Sequence, residues 1–269
     1  MRIIWVLLLV LVTSCAKDRK QLVYTISEQD SIVEVSVDLK QIAREWSREL
    51  IIVDGHIDLP YRLRAKYEDV SDRTASGHFD YVRAKEGGLD APFMSIYIPA
   101  SYEMNGAMSL ARQLILSVEK LCQSHPDKFA MAYSPNDVLA NFEKGLISFP
   151  LGLENGAPVE GQLENLDKLF QLGIRYITLT HSKDNHICDS SYDQQYTHGG
   201  LSAFGKDVVR RMNELGIMID VSHVSDSAFY QIMRLSDKPV IASHSSCRHF
   251  TPGFERNMSD DMIRQVGEK

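Results

Sequence analysis

The 269-residue sequence has only four cysteines and no CxxC pair of the kind that binds structural metals. It also has no excess of basic residues, since 29 Lys and Arg stand against 36 Asp and Glu, for a formal net charge of -7. A surface of this sign repels phosphate backbones, so nucleic-acid binding is not expected. With 44% hydrophobic residues, 16 glycines and 9 prolines, the composition excludes disordered, collagen-like and coiled-coil proteins. It predicts an ordinary folded protein with a large core.

The amino-terminal segment predicts export and lipid attachment. An apolar run at 3–12 is followed by Val12-Thr13-Ser14-Cys15, which resembles a bacterial lipoprotein processing site. The run is too short to span a bilayer, which needs roughly 20 residues. We expect a signal peptide at 1–14, lipidation at Cys15 and a tether and lead-in at 15–36. This places the protein in the bacterial cell envelope, lipid-anchored at the outer membrane or periplasmic face, although a short anchor that stays uncleaved remains an alternative.

Beyond the lead-in, the apolar pattern alternates between strands and helices. Short apolar runs that end in polar residues predict strands at 51–53, 93–98, 149–153, 176–180, 217–221 and 240–243. Helical periodicity predicts helices at 37–50, 107–122, 162–172, 204–215 and 225–235. Neither GxGxxG nor GxxxxGK[ST] accompanies these strands, so dinucleotide-binding and P-loop folds lack their phosphate cradle. The predicted fold is α/β, a TIM-type (β/α)8 barrel occupying 37–269.

Ionisable residues stand at the ends of five of the six predicted strands. They are His56 and Asp58, then Glu154, His181, His223 and His244. Taken singly, each is explained as a surface pair, a turn residue or a structural histidine. Their joint recurrence at the carboxyl ends of strands, where barrel enzymes build active sites, predicts one functional site.

The residue types in this set are those of a divalent metal site. Imidazoles and carboxylates without a thiolate suit Zn(II), with Mn, Fe or Co as substitutes. The ligands predicted are His56, Asp58, Glu154, His223 and His244. They outnumber the ligands of one catalytic zinc, so two zinc ions bridged by a carboxylate are expected. Such a pair makes a bridging hydroxide at neutral pH, orients a carbonyl and stabilises an oxyanion, which is the chemistry of amide hydrolysis.

Six motifs also occur in the order seen in a known family. They are Asp54-Gly55-His56-Ile57-Asp58-Leu59-Pro60, Glu154-Asn155-Gly156, Leu179-Thr180-His181-Ser182, Gly200-Leu201-Ser202-Ala203-Phe204-Gly205, Ile219-Asp220-Val221-Ser222-His223-Val224-Ser225 and Ser243-His244-Ser245-Ser246. On these motifs the sequence resembles the membrane dipeptidase (renal dipeptidase) family of zinc peptidases from about Ile51 to its last residue. Ile57 is a mild departure, because many relatives have Asn between the first two ligands.

The resemblance implies a role for each matching residue. It assigns the five metal ligands as His56 and Asp58 for one zinc, His223 and His244 for the other, and Glu154 as the bridge. His181 is similar to the histidine that polarises the scissile carbonyl or its oxyanion, which makes it catalytic and substrate-binding. Arg256 is similar to the arginine that pairs with the free carboxylate of the dipeptide, a bidentate contact that suits a guanidinium group.

The resemblance also implies a longer barrel. The family's barrel continues through two more strands, and the last of them supplies an aspartate that shuttles a proton to the leaving amine. This sequence stops at Lys269, in a helix after the sixth strand. We therefore expect an incomplete barrel that lacks about the last two βα units. A fragment is favoured over a chain that a partner completes.

The function that the resemblance implies is hydrolysis of the peptide bond of dipeptides, L-D dipeptides among them. Two alternatives stay open: a non-catalytic metal- or peptide-binding lipoprotein, and a hydrolase of cyclic amides or lactones, against which Arg256 argues. The expected partners are a dipeptide substrate, the membrane through Cys15 and, as one option for oligomeric state, a second copy in a homodimer.

Overall fold

The structure is a computed structural model that describes residues 21–28, 31–103 and 105–269. The chain divides into two compact units, 1–51 and 52–269. The predicted signal peptide and Cys15 lie outside the described residues. Within the described ranges, no helix is both long and apolar enough to cross a membrane.

The first unit contains an antiparallel hairpin and one helix. Strand β1 (Gln21–Glu28) pairs with β2 (Ser31–Asp38). Helix α1 (Leu39–Glu49) begins at Asp38, whose carboxylate caps the first turn by accepting backbone hydrogen bonds. The helix predicted at 37–50 is confirmed by α1, and the described part of the predicted tether and lead-in forms the hairpin.

The second unit contains eight further strands and eight further helices among its described residues. The strands are β3 (Ile52–Ile57), β4 (Leu89–Tyr97), β5 (Phe129–Met131), β6 (Ile147–Phe149), β7 (Leu151–Glu154), β8 (Ile174–Thr178), β9 (Met218–Asp220) and β10 (Val240–Ile241). The helices are α2 (Leu59–Ala65), α3 (Tyr81–Gly87), α4 (Ala107–Ser124), α5 (Pro135–Glu143), α6 (Glu164–Gln171), α7 (Ala203–Leu215), α8 (Asp226–Leu235) and α9 (Asp260–Glu268).

Six of these strands form one parallel sheet in the order β10-β9-β8-β7-β4-β3. All neighbouring pairs are parallel, so every strand ends at the same edge of the sheet. The sheet curves into a half-barrel that brings its two outer strands together at that edge. A Cβ atom on Gly55 of β3 would lie 2.6 Å from the carbonyl oxygen of Ser243, which follows β10. Only glycine allows this approach, and the α/β, TIM-type fold prediction is confirmed.

The strand predicted at 149–153 is divided by Pro150. This residue has no N–H to donate to a ladder, although its carbonyl accepts a 2.8 Å hydrogen bond from Met94. As a result β7 stays in the main sheet, while β6 pairs with β5 in a separate two-stranded sheet. The excursion through β5, α5 and β6 is absent from the sequence prediction because its elements are too short to show a clear period.

The helices cover the outer face of the half-barrel and bury its core. Glycines end two of them: Gly216 caps α7 with φ +76°, and Gly173 follows α6 with φ +98°. Apolar side chains that are fully or almost fully buried come from both layers, including Ile96, Leu153, Ile177 and Ile219 from strands and Leu114, Leu166, Val209 and Ile232 from helices. The polar residues at the strand ends therefore follow strands whose side chains are packed in an apolar core.

Candidate metal centre

Glu154, the last residue of β7, stands at the middle of the carboxyl edge. Its side chain is 5% exposed, and its two oxygens face different imidazoles. Oε2 lies 3.4 Å from Nε2 of His56, while Oε1 lies 3.2 Å from Nε2 of His223 and 3.3 Å from Nε2 of His244. Because β7 is a central strand of the sheet, its terminal carboxylate reaches residues from both sides.

His56 and Asp58 lie close together, but not for the reason that their spacing predicts. Strand β3 ends at Ile57, and Asp58 is the N-cap residue of α2, so the side chains of His56 and Asp58 do not share one strand face. The turn into α2 still places Oδ1 of Asp58 3.4 Å from Nε2 of His56.

Tyr176 holds the other nitrogen of His56. Its hydroxyl lies 3.0 Å from Nδ1 of His56. The tyrosine belongs to β8 and crosses β7 at Gly152, where a Cβ atom would lie 2.0 Å from the aromatic ring. Gly152 of β7 therefore makes room for the contact between Tyr176 of β8 and His56 of β3.

His223 and His244 follow β9 and β10 and face each other. Their Nε2 atoms are 2.8 Å apart. The backbone of His223 has φ +70°, a left-handed conformation that costs on the order of 1 kcal/mol or more in a residue with a side chain. Strain of this kind persists where the surroundings fix it, and here the His223 carbonyl accepts a 2.8 Å hydrogen bond from Ser191.

His181 completes the cluster from the end of β8. Its Nε2 lies 3.6 Å from Oε1 of Glu154, and its side chain is 21% exposed. The centroid of its ring lies 4.3 Å from that of the His223 ring, and the ring packs edge-on against Tyr97. His181 is thus both in the cluster and open to a molecule that enters it.

Arg256 lies beside the histidines, in the loop between β10 and α9. It is 9% exposed, and its guanidinium donates to the Ser245 hydroxyl at 2.9 Å and to the His244 carbonyl at 2.7 Å. Nη2 also lies 3.0 Å from Nε2 of His223. The seven residues predicted to bind metal or substrate are therefore all brought to one edge of the half-barrel, while their individual roles stay predictions.

The histidines differ in their affinity for protons. Burial lowers the pKa of His56, but the hydrogen bonds and charges of Asp58 and Glu154 outweigh it and raise the pKa to about 9. For His223, burial and the nearby Arg256 cation lower the pKa to about 4 despite the Glu154 contact. Burial likewise lowers the pKa of His181. Burial opposes the charge on Glu154, yet its imidazole contacts hold its pKa far below the ordinary range.

Comparison with known proteins identifies the family. The family model of membrane dipeptidase, peptidase family M19, matches residues 40–269. The chain belongs to this family. Dipeptidase verJ from Clonostachys rogersoniana is 31% identical over 230 residues, which are 79% of this chain and 58% of that protein.

Solved structures share the fold of this chain. The probable dipeptidase PvdM from Pseudomonas aeruginosa matches with a TM-score of 0.77 and 28% identity over 85% of this chain and 60% of that one. A metallo peptidase from Rhodobacter sphaeroides, liganded with a phosphinate mimic of the dipeptide L-Ala-D-Ala, matches with a TM-score of 0.73 and 23% identity over 81% and 71%. The chain spans about half the length of five dipeptidase relatives, between 47% and 58%.

The donor set at the carboxyl edge of the sheet fits metal ions. The potential ligand atoms form two groups, and within each group all of them lie within 4.8 Å of one another. One group is His56, Glu154 and His244, and the other is Glu154, His181 and His223. Among the described residues, Nδ1 of His181 and of His223 are buried without a hydrogen-bond partner. Imidazoles crowded around a carboxylate are typical ligands for a divalent cation. These groups cut across the predicted pairs, since His244 falls with His56 and His181 with His223.

The polar residues behind the histidines are not predicted as site residues from the sequence. Tyr176, Asp220 and Ser243 each contact an imidazole or a residue that does. One sign of them is present in the sequence, because Asp220 interrupts an apolar strand in which a buried carboxylate needs partners. Thr178 stands opposite Asp220 in the register of β8 and β9.

Proposed function

We propose that the protein is a metallo-dipeptidase that binds two zinc ions and hydrolyses the peptide bond of dipeptides. The observation that carries this proposal is the division of the Glu154 carboxylate, one oxygen toward His56 and the other toward His223 and His244. A carboxylate placed in this way suits a bridge between two cations. Membership of the membrane dipeptidase family supports a peptide-bond hydrolase. Because the chain spans about half the length of its relatives, the activity is proposed for the whole protein.

The residues have separate tasks in this proposal. His56 and Asp58 would hold one ion, His223 and His244 the other, and Glu154 both. Two bound zinc ions would supply water activated at neutral pH and positive charge for the developing oxyanion. Each ligand must present an unprotonated nitrogen or a carboxylate. The low pKa of His223 already satisfies this requirement at pH 7.

His181 and Arg256 would orient the substrate. With its pKa lowered by burial, His181 is neutral at pH 7 and keeps one ring N–H to donate to the carbonyl oxygen. Arg256 offers a planar pair of N–H groups to the substrate's terminal carboxylate. If Nε2 of His223 served as a metal ligand, Nη2 of Arg256 would lose that partner and keep its hydrogen bond to the His244 carbonyl, so one of its two hydrogens would be free for the substrate.

A zinc titration with dipeptide substrates tests the function. Protein stripped with a chelator should be inactive, and zinc should restore hydrolysis with two ions bound per chain by elemental analysis. L-Ala-L-Ala and L-Ala-D-Ala are the substrates to compare, because the Rhodobacter sphaeroides relative is liganded with a mimic of the second. Zinc-loaded protein that hydrolyses neither dipeptide would overturn the proposal and favour a non-catalytic metal- or peptide-binding protein.

We further propose that Cys15 carries a lipid that anchors the protein at the outer membrane or periplasmic face. This proposal rests on Val12-Thr13-Ser14-Cys15. In a bacterial host the protein should partition into detergent, and Cys15→Ser should release it or leave it unprocessed. Identical fractionation of the two forms would contradict lipidation.

The solution mass of the released form tests the homodimer option.

A further inference from the structure

Asp220, the last residue of β9, is completely buried at the carboxyl edge of the sheet. Its Oδ1 accepts backbone hydrogen bonds from Ser222 at 3.1 Å and Ser243 at 2.9 Å. Its Oδ2 accepts the hydroxyl hydrogens of Thr178 at 2.5 Å and Ser243 at 2.6 Å. One carboxylate therefore ties the ends of β8, β9 and β10 together.

Ser243 extends this network to a histidine. Its Oγ lies 2.7 Å from Nδ1 of His244. A serine hydroxyl has one hydrogen, and all four partners of Asp220 donate, so the carboxylate form satisfies them. The Ser243 hydrogen consequently goes to Asp220, and the hydrogen between Ser243 and His244 must come from Nδ1 of His244.

This arrangement decides which nitrogen of His244 can bind a metal. A neutral imidazole with its hydrogen on Nδ1 has its free lone pair on Nε2. Nε2 is the atom that lies 3.3 Å from Oε1 of Glu154 and 2.8 Å from Nε2 of His223. The network thus points the ligating nitrogen into the centre of the cluster.

We propose that Asp220 is a positioning residue that acts through Ser243 to fix the tautomer and ring orientation of His244 for metal binding. The inference rests on the proposed function in one respect, because it requires His244 to be a metal ligand. Groups behind a ligating histidine hold its ring and raise its basicity, and their loss typically weakens metal affinity by about 10- to 100-fold.

A purely structural tie is the competing explanation, and Thr178 provides the matched control. Thr178→Val and Ser243→Ala each remove one hydroxyl from the same oxygen of Asp220, but only Ser243 also touches His244. Both variants should lower the unfolding temperature of the metal-free protein by similar amounts. Ser243→Ala alone should weaken zinc binding, by about 10- to 100-fold in competition with a chromophoric chelator. Ser243→Thr, which keeps a hydroxyl, should restore the affinity.

The tautomer gives a readout that needs no metal. In the metal-free protein, the ¹⁵N chemical shifts of His244 should report hydrogen on Nδ1, and Ser243→Ala should shift them toward a mixture of both tautomers. Equal loss of zinc affinity in Thr178→Val and Ser243→Ala would overturn the inference, as would full affinity in Ser243→Ala. Both results leave the proposed function standing. Failure of the unmutated protein to bind zinc would overturn the proposed function and this inference together.

Discussion

The two sides of the metal centre are built in different ways. On one side, His56 lies on the outer strand β3, and its neighbour Asp58 has a side chain that is 64% exposed. On the other side, His223 and His244 follow strands whose ends are tied by the buried carboxylate of Asp220. The β3 side is held mainly by charge, whereas the β9 and β10 side is held by a network of directed hydrogen bonds.

The difference appears in the protonation of the two sides. With a pKa raised to about 9, His56 carries a proton at neutral pH, while His223, lowered to about 4, does not. To bind a metal ion, His56 would have to give up a proton, whereas His223 would already offer an unprotonated imidazole. At neutral pH, His223 would therefore need no change of protonation to bind a metal, whereas His56 would need to lose a proton.

Glu154→Gln should affect metal binding on both sides of the candidate centre, because the Glu154 carboxylate contacts the histidines of both sides. We expect both ions to be lost together and kcat/KM for dipeptides to fall by at least roughly 10²- to 10⁴-fold, the range for removing one positioned catalytic group. Glu164→Gln, at an exposed position on α6, removes the same charge and should change neither quantity. Elemental analysis that finds one ion retained in Glu154→Gln would show that the carboxylate is not shared.

The opposite pKa shifts predict a stability maximum in the metal-free protein. His56 is raised from 6.5 to about 9, so its contribution is complete below pH 6.5 and is lost as the pH rises toward 9. His223 is lowered from 6.5 to about 4, so its contribution is present above pH 6.5 and is lost as the pH falls toward 4. Each limb amounts to at most about 3 kcal/mol in the free energy of unfolding.

Urea unfolding of chelator-treated protein between pH 4 and 9 measures the two limbs. Relative to the parent, His56→Gln should flatten only the alkaline limb, and His223→Gln only the acid limb. His249→Gln, with a side chain that is 67% exposed, is the control and should leave both unchanged. Parallel profiles for His56→Gln and His223→Gln would contradict the division between the two sides.

The strand ends could be predicted from the sequence because they follow a one-dimensional rule. An apolar run that stops at a polar residue marks the carboxyl edge of a parallel sheet, and this rule located His56, Glu154, His181, His223 and His244 without knowledge of strand order. Pro150 is a feature that the sequence could also have revealed, since a proline interrupts a ladder.

The supporting contacts could not be predicted in the same way. The hydroxyl of Tyr176 reaches His56 across a strand that lies between β8 and β3, through the space left by Gly152. Asp220 meets Thr178 only because β8 and β9 pair in one particular register. Strand order and register are properties of the folded sheet, and a single sequence does not contain them in readable form.

Arg256→Met tests whether the hydrogen-bonded β9 and β10 side also recognises the substrate. A charge-assisted pair with a carboxylate contributes roughly 1.5 to 3 kcal/mol. We therefore expect kcat/KM for free dipeptides to fall by about tenfold to a hundredfold. Arg264→Met on α9, whose side chain is 62% exposed, should have no effect. Dipeptide amides lack the carboxylate and should be poor substrates for all forms, and equal turnover of dipeptide and amide by the parent would contradict the assignment.

Tyr176→Phe should produce the smallest effect and confine it to the β3 side. The substitution removes only the hydroxyl that lies 3.0 Å from Nδ1 of His56 and keeps the ring that packs against Gly152, so no cavity forms. Burial raises the pKa of this phenol, which keeps its proton at neutral pH. Losing one such hydrogen bond costs about 1 kcal/mol, or about fivefold in affinity. In a stepwise zinc titration only the ion held by His56 should bind more weakly, and Tyr230→Phe, which removes a hydroxyl bonded to Asp261, is the control. Equal weakening of both ions would mean that the two sides of the centre are not independent.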